Sequence, residues 1–152
     1  RLPKDKLSAG NFSARLRMSL LYYYAAVHNL LVLGTADKSE LMIGYFTKFG
    51  DAGADMFPIG ELYKSQVKLL AKKLQLPKEI IQQPSSPRFW KGQLAEKEIG
   101  LSYDDIDKIL DSYVKKNLDN CELGKKKIKL VTDMINKSQH KKEKSPVCKL
   151  WG

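Results

Sequence analysis

The sequence predicts an α/β fold in which most of the chain is helical and one short strand is buried. Three observations carry that expectation. Phe12, Leu16, Leu20 and Tyr24 recur at every fourth position of NFSARLRMSLLYYYAAVH, the period of a helix face. The run LLVLGT that follows is continuously apolar, as expected of a strand covered by helices on both faces. The chain has 152 residues, 43% of them hydrophobic, enough for one domain with a core.

The first helix is expected over residues 11–28, with Asn11 or Ser13 capping its free amides. The strand ends at Gly34. Asp37 and Glu40 then stand three apart before an apolar segment, the spacing of a capping box. After the turn KFGDAGADMFPIG, a helix over 61–74 places Tyr63, Val67, Leu70 and Leu74 on one face, and the stretch 75–77 stops it. Pro77 suits the first position of a short helix, KEIIQQ, closed by Pro84. Residues 84–101 read as an ordered loop. Ser102 and Asp105 repeat the capping spacing at the head of a helix over 102–116, with Ile106, Ile109, Leu110 and Tyr113 as its stripe. A last helix spans about 123–138 and carries Ile128, Val131, Met134 and Ile135.

The net charge of +10 is uneven: residues 115–152 hold eleven lysines against four acids, while the body is nearly balanced. The lysines come without interleaved aromatics, so a solvated face is favoured over nucleic-acid binding. No apolar run approaches the roughly 18 residues that cross a bilayer. A cytoplasmic protein with no membrane partner is expected. Cys121 and Cys148 lack metal-ligand spacing and read as reduced thiols. The chain opens on Arg, and RLPKDKLSAGN reads like the interior of a longer polypeptide.

Candidate chemistry gathers beyond the strand. Ligands of open α/β sheets bind at the carboxyl ends of strands, which draws attention to Gly34, Thr35 and Glu40. Glu40 either completes a cap or contributes oxygen to a magnesium ion whose other ligands come from phosphate. GDAGAD is not an EF-hand loop, because the twelfth position counted from Asp51 is Leu62. It is either a tight turn, with Gly supplying positive φ, or a holding site. Arg15 and Arg17, two apart on a helix, cannot share a face.

Five blocks in order, GNFSARLRMSLLYYYA, NLLVLGTADKSELMIGYFTKFGDAGADMFPIGELYKSQV, LPKEIIQQPSSPRFWKGQ, EIGLSYDDIDKIL and SQHKK, together resemble the C-terminal half of NAD synthetase. The resemblance covers about residues 8 to 142, making 1–142 the C-terminal part of one such domain and 143–152 a basic tail. It implies an adenine-nucleotide α-hydrolase-like, Rossmann-like fold. It also implies ATP-dependent amidation of deamido-NAD to NAD: ATP adenylates the nicotinate carboxylate, then ammonia displaces AMP. By residue, it implies ATP contacts at Thr35, Lys64 and Ser86, and magnesium at Glu40. Deamido-NAD contacts are implied at Arg15, Lys48, Asp55, His140 and Lys141, and a homodimer whose contact uses the first helix. Asp51 or Asp55 is the candidate ammonium site.

The chain departs from the family pattern at Ala52, at Pro87 within SSPRF, and at Leu94 and Ala95 in GQLAE. The SGGxDS phosphate loop of the family is absent from these 152 residues, so the chain alone is expected to be inactive. The rival expectations are another ATP pyrophosphatase ligase with a different acceptor, a non-catalytic module that kept the fold, and a basic nucleic-acid binder.

Overall fold

The computed structural model describes residues 5–149. Helix α1 spans Lys6–His28, five residues earlier than its periodicity indicates, because Asp5 accepts from the Ser8 amide and caps it. Asn29 ends it in the left-handed region. The apolar stripe seen in the sequence faces outward: Phe12, Leu16, Leu20 and Tyr24 are exposed, and the buried residues of α1 are Gly10, Ala14 and Ala25.

The expected strand is reduced to a single parallel bridge between Leu33 and Met56. Gly34 donates to Met56 O and Asp55 to Val32 O, but no further strand pairs with this segment among the described residues. Of the run, Val32 and Gly34 are buried, whereas Leu31 is 71% exposed. A strand buried on both faces needs neighbours, and the described residues supply one short edge.

Helix α2, Lys38–Ile43, begins with both halves of the predicted capping box. Helix α3, Lys64–Lys73, starts three residues later than predicted and ends as Gln75 enters the left-handed region, with Leu76 N donating to Ala71 O. Helix α4, Lys78–Ile81, has Pro77 as its N-cap residue rather than its first helical residue. Within the predicted loop 84–101 lies a helix, α5, Ala95–Ile99, which has no side-chain cap bond to announce it. Helix α6, Tyr103–Val114, is capped by Ser102 as predicted, its hydroxyl accepting from Asp105 N at 3.2 Å. A 3₁₀ turn, Leu118–Asn120, leads to α7, Lys125–Lys137, and α8, Gln139–Lys142.

The core is helix on helix. Ile43 of α2, Ala95 and Ile99 of α5, the stripe of α6, and Val131 and Ile135 of α7 form one cluster. Ile106, Ile109 and Leu110 are fully enclosed, each such side chain stabilising by about 1.5–3 kcal/mol. This cluster is the platform on which α2 and the start of α3 sit. Among the described residues no helix is long and apolar enough to cross a membrane.

Candidate functional site

The head of α2 is built from Asp37 and Glu40. Glu40 N donates to Asp37 Oδ1 at 3.0 Å and Asp37 N to Glu40 Oε2 at 3.3 Å, which satisfies two orphan amides. Each carboxylate then has one oxygen to spare. Lys64, the first residue of α3, takes both: its Nζ lies 2.5 Å from Asp37 Oδ2 and 2.6 Å from Glu40 Oε1. The capping reading of Glu40 is therefore correct but incomplete.

Electrostatics at this triad pull in opposite directions. Burial, then repulsion from Asp37, pushes the Glu40 carboxyl above its usual range, and the Lys64 ammonium only partly offsets this. For Lys64, burial works to lower the pKa, but the two carboxylates win and the net shift is upward. The ammonium also lies over the Tyr103 ring, 5.0 Å from its centroid.

Glu40 and Lys64 form part of the wall of a cavity of about 560 Å³. Thr35 and Ser86 line it too, one from the end of the 32–36 segment and the other from the 84–94 loop. Lys141 enters from α8, and Asp51 from the GDAGAD turn. Six of the ten residues given candidate roles, Thr35, Glu40, Asp51, Lys64, Ser86 and Lys141, thus share one cavity.

Arg15, Lys48, His140 and Asp55 are not among its lining residues. The first three are chained together: Arg15 Nε donates to Lys48 O at 3.2 Å, and Lys48 Nζ to His140 O. Asp55 is engaged elsewhere, accepting from Tyr22 OH at 3.1 Å and from Val32 N at 2.8 Å, which ties α1 to the 32–36 segment. Of the two arginines, Arg17 is the one that lines the cavity.

The GDAGAD turn is shaped by close approach rather than by positive φ. Neither Gly50 nor Gly53 has a left-handed backbone, and the non-glycine residue with positive φ here is Phe49, at 59°. A Cβ on Gly50 would fall 2.9 Å from Thr47 Cβ and 3.0 Å from Ala14 Cβ, and one on Gly53 2.9 Å from Met18 Cγ. The two glycines let the turn lie against α1. Ala52 has no positive φ, so its departure from the family pattern imposes no backbone strain.

Lys141 has two tasks. Its Nζ donates to Gly44 O at 2.9 Å and Phe46 O at 3.0 Å, closing the carboxyl end of α2, and burial pulls its pKa down against the attraction of Asp51. Tyr45, Gln93 and Glu98 also line the cavity without having been singled out in the sequence, and Asn11, expected as a helix cap, lines it from within α1. They are polar residues on helices and loops with no distinctive spacing. Tyr45 OH and Gln93 Nε2 both donate to Glu98, fixing its carboxylate.

Comparison with known proteins gives a consistent result. The family model described as NAD synthase matches residues 2–145. The NH3-dependent NAD+ synthetase of Hyperthermus butylicus is 49% identical over 148 residues, covering 93% of this chain and 54% of the relative. That of Aeropyrum pernix is 56% identical over 109 residues, covering 72% of this chain and 38% of the relative. Among solved structures, an NMN synthetase from Francisella tularensis has a TM-score of 0.86 at 38% identity, covering 96% of this chain and 58% of that one. An NH3-dependent NAD synthetase from Campylobacter jejuni, in complex with nitrate, has a TM-score of 0.78 at 33% identity, covering 98% and 58%. The chain thus spans about half the length of the relatives it matches. Sequence and fold agree, and the chain belongs to the NAD synthase family.

Proposed function

We propose that the chain is the carboxyl-side portion of an enzyme that amidates deamido-NAD to NAD with ATP and ammonia. The observation that carries this reading is the Asp37–Glu40–Lys64 triad at the wall of the shared cavity. A carboxylate has no good leaving group, so the nicotinate oxygen attacks the α-phosphorus of ATP and pyrophosphate departs. Ammonia then adds to the carbonyl carbon of the acyl-adenylate, and AMP leaves with the C–O electron pair.

The residues present fit a magnesium ion. Such ions are commonly held by one or two carboxylates, with substrate phosphates supplying further oxygens. Glu40, with Asp37 beside it, offers that donor set, and the cation resting there is Lys64. When bound, the metal would neutralise triphosphate charge that otherwise repels the incoming carboxylate. Lys64, released from Glu40, follows the negative charge that passes to pyrophosphate. Thr35 and Ser86 orient ATP. Lys141, with the Arg15–Lys48–His140 chain, takes the dinucleotide acid. Asp55 enters as the tie that sets α1 beside the cavity, and a direct contact with deamido-NAD requires it to exchange one of its two bonds. Asp51 is the better placed ammonium residue, because it lines the cavity and Asp55 does not. The exposed stripe of α1 is assigned to a second copy, forming a homodimer. An ATP-consuming synthesis of this kind suits the cytoplasm.

The likeness to an NMN synthetase favours one second reading, in which the acceptor is the acid mononucleotide that yields NMN. The test supplies this chain with the amino-terminal portion of a curated relative and offers magnesium, ATP, ammonia and each acceptor in turn. NAD formation from deamido-NAD is expected, with little from the mononucleotide. The reverse preference selects the second reading, and folded protein that fails to bind ATP points to a non-catalytic module.

A further inference from the structure

Helix α3 presents Lys64 to the cavity from its first residue, yet it does not cap itself. The Tyr63 side chain makes no cap bond, and of the local side chains only Gln66 helps, accepting from Tyr63 N at 2.8 Å. The next two amides are satisfied from other helices. Lys64 N donates to Ser39 Oγ of α2 at 2.9 Å, and Ser65 N donates to Asp107 Oδ2 of α6 at 2.8 Å. The Ser39 hydroxyl in turn donates to Asp107 Oδ1. Ser39 and Asp107 are both buried, at 0% and 6% exposure, and neither lines the cavity.

One carboxylate therefore fixes two helix starts at once. Through Ser39 it holds α2, on which Asp37 and Glu40 sit. Through Ser65, and through Ser39 to the Lys64 amide, it holds the first turn of α3. The result is that Lys64 Nζ falls between Asp37 and Glu40. A local serine or aspartate at position 63 would cap α3 just as well without burying a charge. Asp107 instead lies on the apolar stripe of α6, four residues after Tyr103 and three before Leu110. A buried charge is weak evidence for stability, and its best-attested use is to fix register.

We infer that Asp107 is a positioning residue: through Ser39 and Ser65 it sets the register of α2 against α3 and so aims the Lys64 ammonium at the nucleotide phosphates. The inference rests on the proposed role of Lys64 as an ATP contact. Two acceptor oxygens are essential to it, because both partners donate. Asparagine offers one oxygen and two N–H groups, so in Asp107→Asn only one partner keeps its acceptor: with the oxygen on Ser65 N, the Ser39 hydroxyl must give up its donor bond and turn to accept.

The test uses the chain supplied with the amino-terminal portion of a curated relative, and two independent readouts. In nitrogen-15 spectra, the Lys64 ammonium of the parent is expected to give a resolved signal protected from exchange with water. Asp107→Asn should abolish that signal, and Ser39→Ala should weaken it while leaving the Ser65 bond. Ile109→Val, a core change elsewhere on α6, should lower the melting temperature and leave the signal intact. In the second readout, ATP with magnesium is titrated into the parent, Lys64→Met, Asp107→Asn and the double variant. Each single change is expected to weaken binding about tenfold or more, and the double variant should bind no more weakly than Lys64→Met, since effects acting through one group do not add. Retention of the ammonium signal in both Asp107→Asn and Ser39→Ala, or additive losses in the double variant, would overturn the inference. Unaltered binding by Lys64→Met would instead remove the nucleotide role of Lys64, and the ammonium signal would then decide the positioning role alone. If Asp107→Asn does not fold, Ser39→Ala carries both readouts.

Discussion

Replacing Glu40 by Gln separates its capping role from its charge. Glutamine keeps the capping box, since its amide oxygen accepts from Asp37 N as the carboxylate does. What it removes is the negative charge facing Lys64 and the cavity. If the Glu40–Lys64 contact were a structural strut, removing one partner of so buried a pair would cost about 3–5 kcal/mol. The structure argues for a much smaller cost. Burial and the Asp37 charge raise the Glu40 pKa despite Lys64, so the folded protein holds this proton more tightly than the unfolded chain. The stabilising contribution of the protonated form is fully present below the ordinary value of 4.5 and is lost as pH rises through the raised folded value. At neutral pH the charge is therefore a net cost, which a neutral glutamine avoids. Lys64 meanwhile retains Asp37 at 2.5 Å. Glu40→Gln is expected to lie within about 1 kcal/mol of the parent at neutral pH, the size of one ordinary hydrogen bond, or above it. That is a melting shift under about 4 °C for a chain of this size. Calorimetry of parent and variant across the acid-to-neutral range reads the difference between their stability curves. The parent should lose stability relative to the variant as pH rises, whereas Asp5 and Asp105, whose pKa values are lowered, contribute equally to both. The same variant should bind magnesium-ATP about tenfold more weakly or worse, about 1.4 kcal/mol. A loss of about 3 kcal/mol in stability with unchanged nucleotide affinity would refute the reasoning.

Three further outcomes are expected. Lys141→Met leaves Gly44 O and Phe46 O without their donor and should cost about 1–3 kcal/mol by urea denaturation, and a change under about 0.5 kcal/mol would count against the capping role. Gly10→Ala places a Cβ 2.5 Å from Phe89 Cδ2, so the 84–94 loop must shift away from α1, which a change in Trp90 fluorescence should report. Leu20→Arg, on the exposed stripe of α1, should convert the proposed dimer to monomer in analytical ultracentrifugation with the helical signal preserved, and an unchanged sedimentation coefficient would remove α1 from the contact.

What could be read from the sequence followed the range of the interaction. The capping box at Asp37–Glu40 and the Ser102 cap on the Asp105 amide are both three-residue patterns, legible at once. The stripe of α6 was equally clear. Lys64 was also found, but only through the resemblance, because nothing local distinguishes it from any other lysine at a helix start. Its partners Asp37 and Glu40 lie more than twenty residues away. The Asp107–Ser39 link spans 68 residues and left one trace, an acid on an otherwise apolar helical face. Helix α5 escaped because five residues are too few for periodicity and its N-cap is Leu94, which offers no oxygen.

The apolar segments that the structure leaves exposed mark a different boundary of inference. Periodicity tells which residues of a helix want to leave water, but not what will cover them. For α6 and α7 the answer lies within the described residues, since each buries its stripe against the other and against α2. For α1 it does not: Leu16 and Leu20 repeat as cleanly as Ile106 and Leu110, yet they remain at least half exposed. The same holds for Leu31 and Leu33 beside the single bridge, for Leu69 on α3 and for Leu74 at its carboxyl cap. An isolated surface leucine needs no explanation, but several on one face next to an unfinished strand edge imply contact with further protein. The asymmetry bears on the chemistry, because the cavity lies between the two regions, with α1 and the 32–36 segment on one side and α2 with its supporting helices on the other. Ligands that bridge the two sides would draw the exposed elements onto the finished core. Nucleotide binding should therefore protect the amides of α1 and of residues 32–36 from hydrogen exchange more than those of α6, which the core already holds.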